Sequence, residues 1–208
     1  MLYKNTVTDE TYSLLKRMMA LPALKEFALV GGTNLSLQLG HRLSIDLDFF
    51  SDKVFLSSEL IPKLAESFND LVVFRSTNGS FSGMIENVKI DIILYQYEQL
   101  EPLLIIDGIR LLSISDIIPM KLGAMAHRGA KKDFWDIAEL LNHFTLEEML
   151  NLFERKYKNS DFGYVVLALY YFEDAENQED PVDLKGMSWK KIKTKIKKAV
   201  DDYIRLKK

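Results

Sequence analysis

The chain has 208 residues and no cysteine, which removes disulfides, thiolate metal ligands and thiol catalysis. Hydrophobic residues at 48% and charged residues at 27% are an ordinary globular balance, with scattered glycine and proline and no repeated or low-complexity stretch. The net charge of −3 is uneven: Ser188–Lys208 sets nine basic residues against Asp201 and Asp202, a net of +7 that leaves −10 on the remainder and can attract a polyanion.

The N-terminal stretch MLYKNTVTDETYSLLKRMMALPALKEF shows no basic-then-apolar leader with a small-residue cleavage site. No apolar run approaches the roughly 20 residues of a membrane span, so a cytoplasmic protein without a membrane segment is expected. Glu10–Leu21 predicts a helix and KEFALVGG a short strand ending at Gly31-Gly32. TNLSLQLG fits two helical turns with Thr33 as N-cap and Gly40 as the left-handed stop. LSIDLDFFS alternates, sending Leu43, Ile45, Leu47 and Phe49 one way and Ser44, Asp46 and Asp48 the other. A serine-capped helix over SSELIPKLAESFND precedes LVVFRST, an Asn-Gly turn and FSGMIENVKIDIILY, a hairpin or meander. GIRLLSI adds a short edge strand to a sheet of four or five.

From Ser115 onward the period is helical. SDIIPMKLGAMAHR starts with Ser115 as cap, KKDFWDIAELLNHF follows, and TLEEMLNLFERKY opens with a Thr145/Glu148 capping box. DFGYVVLALYYFEDAE and SWKKIKTKIKKAVDDYIRL complete the set, the latter with Trp189, Ile192, Ile196 and Tyr203 on one face and lysines on the others. The fold class expected is α+β: a mixed-sheet domain with flanking helices over 1–112 and an α-helical bundle over 113–208.

Asp46 and Asp48, two apart on one strand, project from one face with Cα atoms about 6.5–7 Å apart and repel unless a cation holds them. Mg²⁺ bound by carboxylates and substrate phosphates is the common solution in phosphoryl chemistry. Asp91, inside the apolar strand NVKIDIILY, supplies a third carboxylate if that strand lies beside the first. Taken singly, each also fits an aspartate facing water at a strand end. Gly31-Gly32, after a strand and before a helix, lets backbone N–H groups approach a phosphate. Lys121 and Arg128 share one helix face and can clamp phosphate oxygens, while Lys132, Asp133 and Asp136 on the next helix fit either a site or a surface ion pair. His41-Arg42 either lines a nucleotide pocket or sits in a solvated loop, and the three histidines have no metal-ligand spacing. There is no G-x-S-x-G, no P-loop lysine and no dinucleotide glycine fingerprint.

Gly31-Gly32-Thr33, the D-x-D of Asp46 and Asp48, and the later strand Asp91 resemble the nucleotidyltransferase fold of the DNA polymerase β type. With Asp116 and Lys121 as a D-x-x-x-x-K block, and Arg128, Lys132, Asp133 and Asp136 as a fourth, the set resembles the AbiEii/AbiGii toxin nucleotidyltransferases. The resemblance implies transfer of a nucleoside monophosphate from an NTP to an acceptor, foremost tRNA or another RNA. It implies a toxin of a toxin–antitoxin or phage abortive-infection system, with a cognate antitoxin as a further partner. It assigns Asp46, Asp48 and Asp91 to Mg²⁺ (or Mn²⁺). Gly31, Gly32, Thr33, Arg42, Ser44, Arg128 and Lys132 fall to the nucleotide and its phosphates, and Lys121, Asp133 and Asp136 join the three metal-binding aspartates as catalytic. The alternatives are transfer to a small molecule or protein, or a non-catalytic nucleotide- or partner-binding protein of the same fold.

Overall fold

A computed structural model describes residues 1–158 and 161–207; Lys208, counted in the basic tail, lies outside the described residues. The chain divides into two units, the first Met1–Gly40, Ser44–Glu98 and Pro102–Ser113, the second His41–Leu43, Gln99–Glu101 and Ile114–Lys208. The short segments 41–43 and 99–101 thus belong with the C-terminal residues, although sequence pattern alone groups them with 1–112.

In the first unit α1 (Asp9–Ala20) is capped by Thr8, whose hydroxyl accepts the Thr11 amide. It precedes β1 (Ala28–Val30), α2 (Gly31–Leu39), β2 (Leu47–Ser51), α3 (Ser57–Ala65), β3 (Val72–Thr77), β4 (Ser80–Ile85), β5 (Val88–Leu94), β6 (Leu104–Ile106) and β7 (Ile109–Leu111). These form a seven-stranded mixed sheet in the order β3-β4-β5-β2-β1-β7-β6, more than the four or five strands and one edge strand expected, since Leu104–Ile106 adds a strand. β2 runs parallel to β5 and β1 parallel to β7, while the other neighbours are antiparallel. The expected edge strand, β7, lies inside the sheet, because β6 folds back on it through Asp107-Gly108, both at positive φ as a tight hairpin turn requires. Leu47, Phe49, Ile90 and Ile92 point from one sheet face into a core with Leu14, Met18 and Leu64, which are fully buried.

The alternation expected from Leu43 begins only at Leu47. Leu43 and Ile45 are 36% and 65% exposed, because the Leu43 amide donates to the Val182 carbonyl and the Ser44 amide to the Thr6 carbonyl. Those bonds hold the backbone out of the ladder, so Asp46 precedes β2 instead of lying on it. Three expected serine or threonine caps also fail. α2 begins at Gly31, before Thr33, so the Thr33 hydroxyl is inside the first turn and bonds elsewhere. The Ser57 hydroxyl donates to the Thr77 and Ser80 carbonyls at 2.7 and 3.0 Å, and Ser115 lies within its helix, which starts at Ile114. Gly40 does terminate α2 in the left-handed conformation, at φ 69°.

The second unit contains α4 (Ile114–Arg128), α5 (Lys131–Leu140), α6 (Leu146–Lys156), α7 (Gly163–Ala168), α8 (Glu173–Glu176) and α9 (Trp189–Leu206). The Thr145/Glu148 capping box is formed, and Ser188 caps α9 by accepting the Lys191 amide. The single helix expected over DFGYVVLALYYFEDAE is two short ones, α7 and α8. Ile192, Ile196 and Val200 of α9 are buried, and the Trp189 ring stacks on Trp135 of α5.

Candidate active site

In the first unit β5 lies beside β2 with Asp48 directly across from Asp91, so both carboxylates leave the face opposite the core. Adjacent strands are about 4.8 Å apart, which puts the two within reach of one cation. Gly31 is required here for two reasons. Its φ is +71°, and a Cβ at that point would run into the Asp48 carboxylate. The Asp48 carboxylate therefore lies against the opening residue of α2, at the positive end of the helix dipole. The Thr33 hydroxyl donates to the Asp46 carbonyl and lies 2.9 Å from Ser44 Oγ, tying the residues before β2 to the first turn of α2. Buried Asn34 donates to the Leu29 and Leu112 carbonyls at 2.6 and 3.1 Å and fixes α2 to the end of β1.

Lys89, two residues before Asp91 on the same strand face, places its ammonium 2.6 Å from Asp91 Oδ2. That hydrogen bond is the main reason the Lys89 ammonium holds its proton above the ordinary lysine range; partial burial opposes it, and the charges of Asp91, Asp46 and Asp48 reinforce it. The Lys89 ammonium thus pairs with Asp91 and lies in the field of the other two carboxylates. The carboxylate oxygens of Asp48 and Asp91 are hard donors of the kind a divalent metal takes, while the Lys89 ammonium competes for Asp91. Among the described residues no three His, Asp or Glu side chains converge on one metal point. Asp48 is turned toward Gly31 and Asp91 toward Lys89.

In the second unit the predicted residues form a buried ion cluster. Arg42 donates to both Asp136 oxygens, from Nε at 2.7 Å and Nη2 at 2.9 Å. His41 Nε2 lies 2.7 Å from Asp136 Oδ1 and Lys121 Nζ 2.6 Å from Oδ2. His41 is 2% exposed, so the solvated-loop reading of this residue is wrong: the polar histidine went in with the carboxylate it faces. Burial alone would raise the Asp136 carboxyl, but Arg42 and Lys121, with hydrogen bonds from His41 and Arg42, hold it well below the usual carboxylate range. Asp133, also fully buried, takes Arg128 through Nε at 2.7 Å and Nη2 at 2.8 Å and lies 3.3 Å from Lys121 Nζ. Lys132 is exposed, and its neighbour Lys131 is buried against Asp180 and the Gln178 carbonyl. Asp116 accepts the Leu100 and Glu101 amides and the Lys156 ammonium, at 2.9, 3.1 and 2.6 Å.

The family model of the AbiEii nucleotidyl transferase toxins of type IV toxin–antitoxin systems matches residues 13–206. The chain belongs to the AbiEii family. It is accordingly a nucleotidyltransferase toxin, with an NTP as donor substrate and a cognate antitoxin implied by the type IV system. An uncharacterised Aquifex aeolicus protein is 32% identical over 94% of this chain and 96% of its own length. A candidate nucleotidyltransferase from Helicobacter pylori shares the fold at a TM-score of 0.57 and 19% identity, covering 96% of this chain and 98% of its own. MenT4, a nucleotidyltransferase toxin of Mycobacterium tuberculosis, does so at 0.56 and 17%, covering 93% and 84%. No helix among the described residues of this AbiEii chain is long and apolar enough to cross a membrane.

Three features of the AbiEii chain escaped the sequence pattern. Lys89 reads as an ordinary outward lysine until β2 and β5 are paired. Asn34, given no role in the TNLSLQLG helix, is fully buried and bonds two carbonyls. Lys156, the partner of Asp116, lies 40 residues away from it, beyond any local spacing rule.

Proposed function

We propose that this AbiEii enzyme transfers a nucleoside monophosphate from an NTP to RNA, tRNA foremost, in a Mg²⁺- or Mn²⁺-dependent reaction in the cytoplasm, and that the modification arrests growth during phage infection. The observation that carries the reading is the pairing of Asp48 with Asp91 on adjacent strands, beside the Gly31 end of α2. The bound metal would supply neutralisation of phosphate charge. Asp46, Asp48 and Asp91 would hold it. The first-turn amides at Gly31 and Gly32, with Thr33 and Ser44, receive phosphate oxygens at a helix N-terminus that no side chain caps. An acceptor hydroxyl oxygen attacks the α-phosphorus, its proton passes to Asp91, and the bond to the bridging oxygen breaks to release pyrophosphate. Such displacements are catalysed mostly by positioning and charge stabilisation. The family resemblance, as read from the sequence, assigns Lys121 to triphosphate charge and Arg42, Arg128 and Lys132 to the nucleotide; within the second unit the Lys121 ammonium is fixed by Asp133 and Asp136.

RNA is favoured as acceptor by α9, on which Lys190, Lys191, Lys197 and Lys198 are exposed on the side away from buried Ile192 and Ile196. Incubating the protein with each α-labelled NTP, Mg²⁺ and total RNA tests the reading. Label is expected in RNA of tRNA size; label appearing only in small molecules or in protein would replace the acceptor.

A further inference from the structure

The face that carries Asp48 and Asp91 continues into a row of aromatic rings. Phe50 follows Asp48 by two residues on β2, so its side chain leaves the same face, while Leu47, Phe49 and Ser51 turn to the core. The Tyr95 amide extends the β2–β5 pairing by donating to the Ser51 carbonyl at 2.8 Å. The Tyr95 ring lies 4.8 Å from Phe50, tilted 30°, and the Tyr97 ring 4.9 Å from Tyr95, tilted 46°. The row leads away from the carboxylates and becomes more open along its length: Phe50 and Tyr95 are half-buried and Tyr97 is 50% exposed.

Three rings in a row on the sheet face opposite the core are not needed to fill that core. The row begins at Phe50, one strand repeat from Asp48 or about 6.5–7 Å at Cα, and Tyr95 and Tyr97 carry it outward by one ring contact each. Ring faces accept any base by stacking, with no hydrogen-bond code.

We propose that Phe50, Tyr95 and Tyr97 form the platform on which the base of the NTP stacks while its phosphates lie toward Asp48. The proposal rests on the reading of Asp46, Asp48 and Asp91 as the reacting centre. It assigns base affinity to stacking, so the platform contributes to binding all four NTPs, and selection among them falls to other groups.

The test is calorimetric binding by the full chain in Mg²⁺, with α,β-methylene NTPs, inorganic tripolyphosphate and a single-stranded RNA as separate ligands. Tyr97→Ala should weaken nucleotide binding by about tenfold or more, in line with the loss of one base–aromatic stack. It should leave tripolyphosphate unchanged, and Tyr97→Phe should bind as wild type. Unaltered nucleotide affinity in Tyr97→Ala, or an equal loss for tripolyphosphate, overturns the platform. A loss confined to RNA overturns it as well and gives the rings to the acceptor. Asp48→Asn separates the two levels: if wild type binds no nucleotide, or Asp48→Asn leaves nucleotide and tripolyphosphate affinity intact, the underlying reading fails. If binding depends on Asp48 but not on Tyr97, the platform alone fails.

Discussion

Lys89 and Gly31 are the two residues that let the Asp48 and Asp91 carboxylates stand together on one face. Lys89 supplies a cation that bonds Asp91 and lies in the field of Asp46 and Asp48. Lys89→Met removes it, so the like charges are left to repel one another and a divalent ion gains what lysine gave up. Melting in EDTA and in Mg²⁺ should show a larger Mg²⁺-induced rise in melting temperature for the variant than for wild type, by the usual linkage of binding to stability; equal rises would contradict competition between Lys89 and a metal at Asp91. Gly31→Ala forces a side chain into the left-handed region, a cost of about 1–2 kcal/mol, and into the Asp48 carboxylate. Its melting temperature should fall modestly and its nucleotide transfer much further, because Asp48 must move; a variant melting lower with undiminished transfer would show that Asp48 need not sit there. The turn into a helix at the double glycine was legible in the sequence, while of the D-x-D only Asp48 lies on the strand on which both aspartates were expected. Lys89 and Phe50 were not legible, since a lysine two before an aspartate and a phenylalanine after one acquire meaning only once β2 and β5 pair.

Whole elements were predicted better than their ends. The period of α9 predicted its buried stripe, and Ile196→Ala should cost about 2–5 kcal/mol as a fully buried truncation, measured by urea denaturation. The start of β2 was misread because the Leu43 and Ser44 amides donate to the distant Val182 and Thr6 carbonyls and so stay out of the ladder. Caps failed for a related reason: the Ser57 and Thr33 hydroxyls found carbonyl partners elsewhere. Between α4 and α5 the spacing of Lys121, Arg128, Asp133 and Asp136 was legible, but the burial of Lys121, Asp133 and Asp136 was not, because Arg42 and His41 arrive from a remote segment. Asp136 is ionised with a lowered carboxyl pKa in the fold. Its contribution is present above the unfolded value of about 3.9 and is lost as pH falls through the folded value below it. Asp136→Asn strands Arg42 and Lys121 beside a neutral group, so it should lose about 3–5 kcal/mol at neutral pH. Its remaining stability should fall less steeply than that of wild type below about pH 4. Parallel stability–pH curves for the two proteins would count against the cluster.

Across the whole molecule, the charge asymmetry matters more than the net charge of −3. The exposed lysines of α9 should bind an RNA backbone through counterion release. Replacing Lys190, Lys197 and Lys198 by Gln should weaken RNA binding and flatten its dependence on log salt by about 0.7 per lysine that contacts phosphate. An unchanged salt slope would mean that α9 is only a packed helix with a solvated face. Membership of the AbiEii family, across residues 13–206, makes the chain a nucleotidyltransferase toxin, and the motifs that carried that resemblance were legible before the fold was. The site assignment rests most directly on Asp48. Transfer of an α-labelled nucleotide to RNA, measured for wild type and Asp48→Asn at matched melting temperature and Mg²⁺ concentration, should be abolished by the substitution. Undiminished transfer by a folded Asp48→Asn protein would contradict the placement of the reacting centre on β2 and β5.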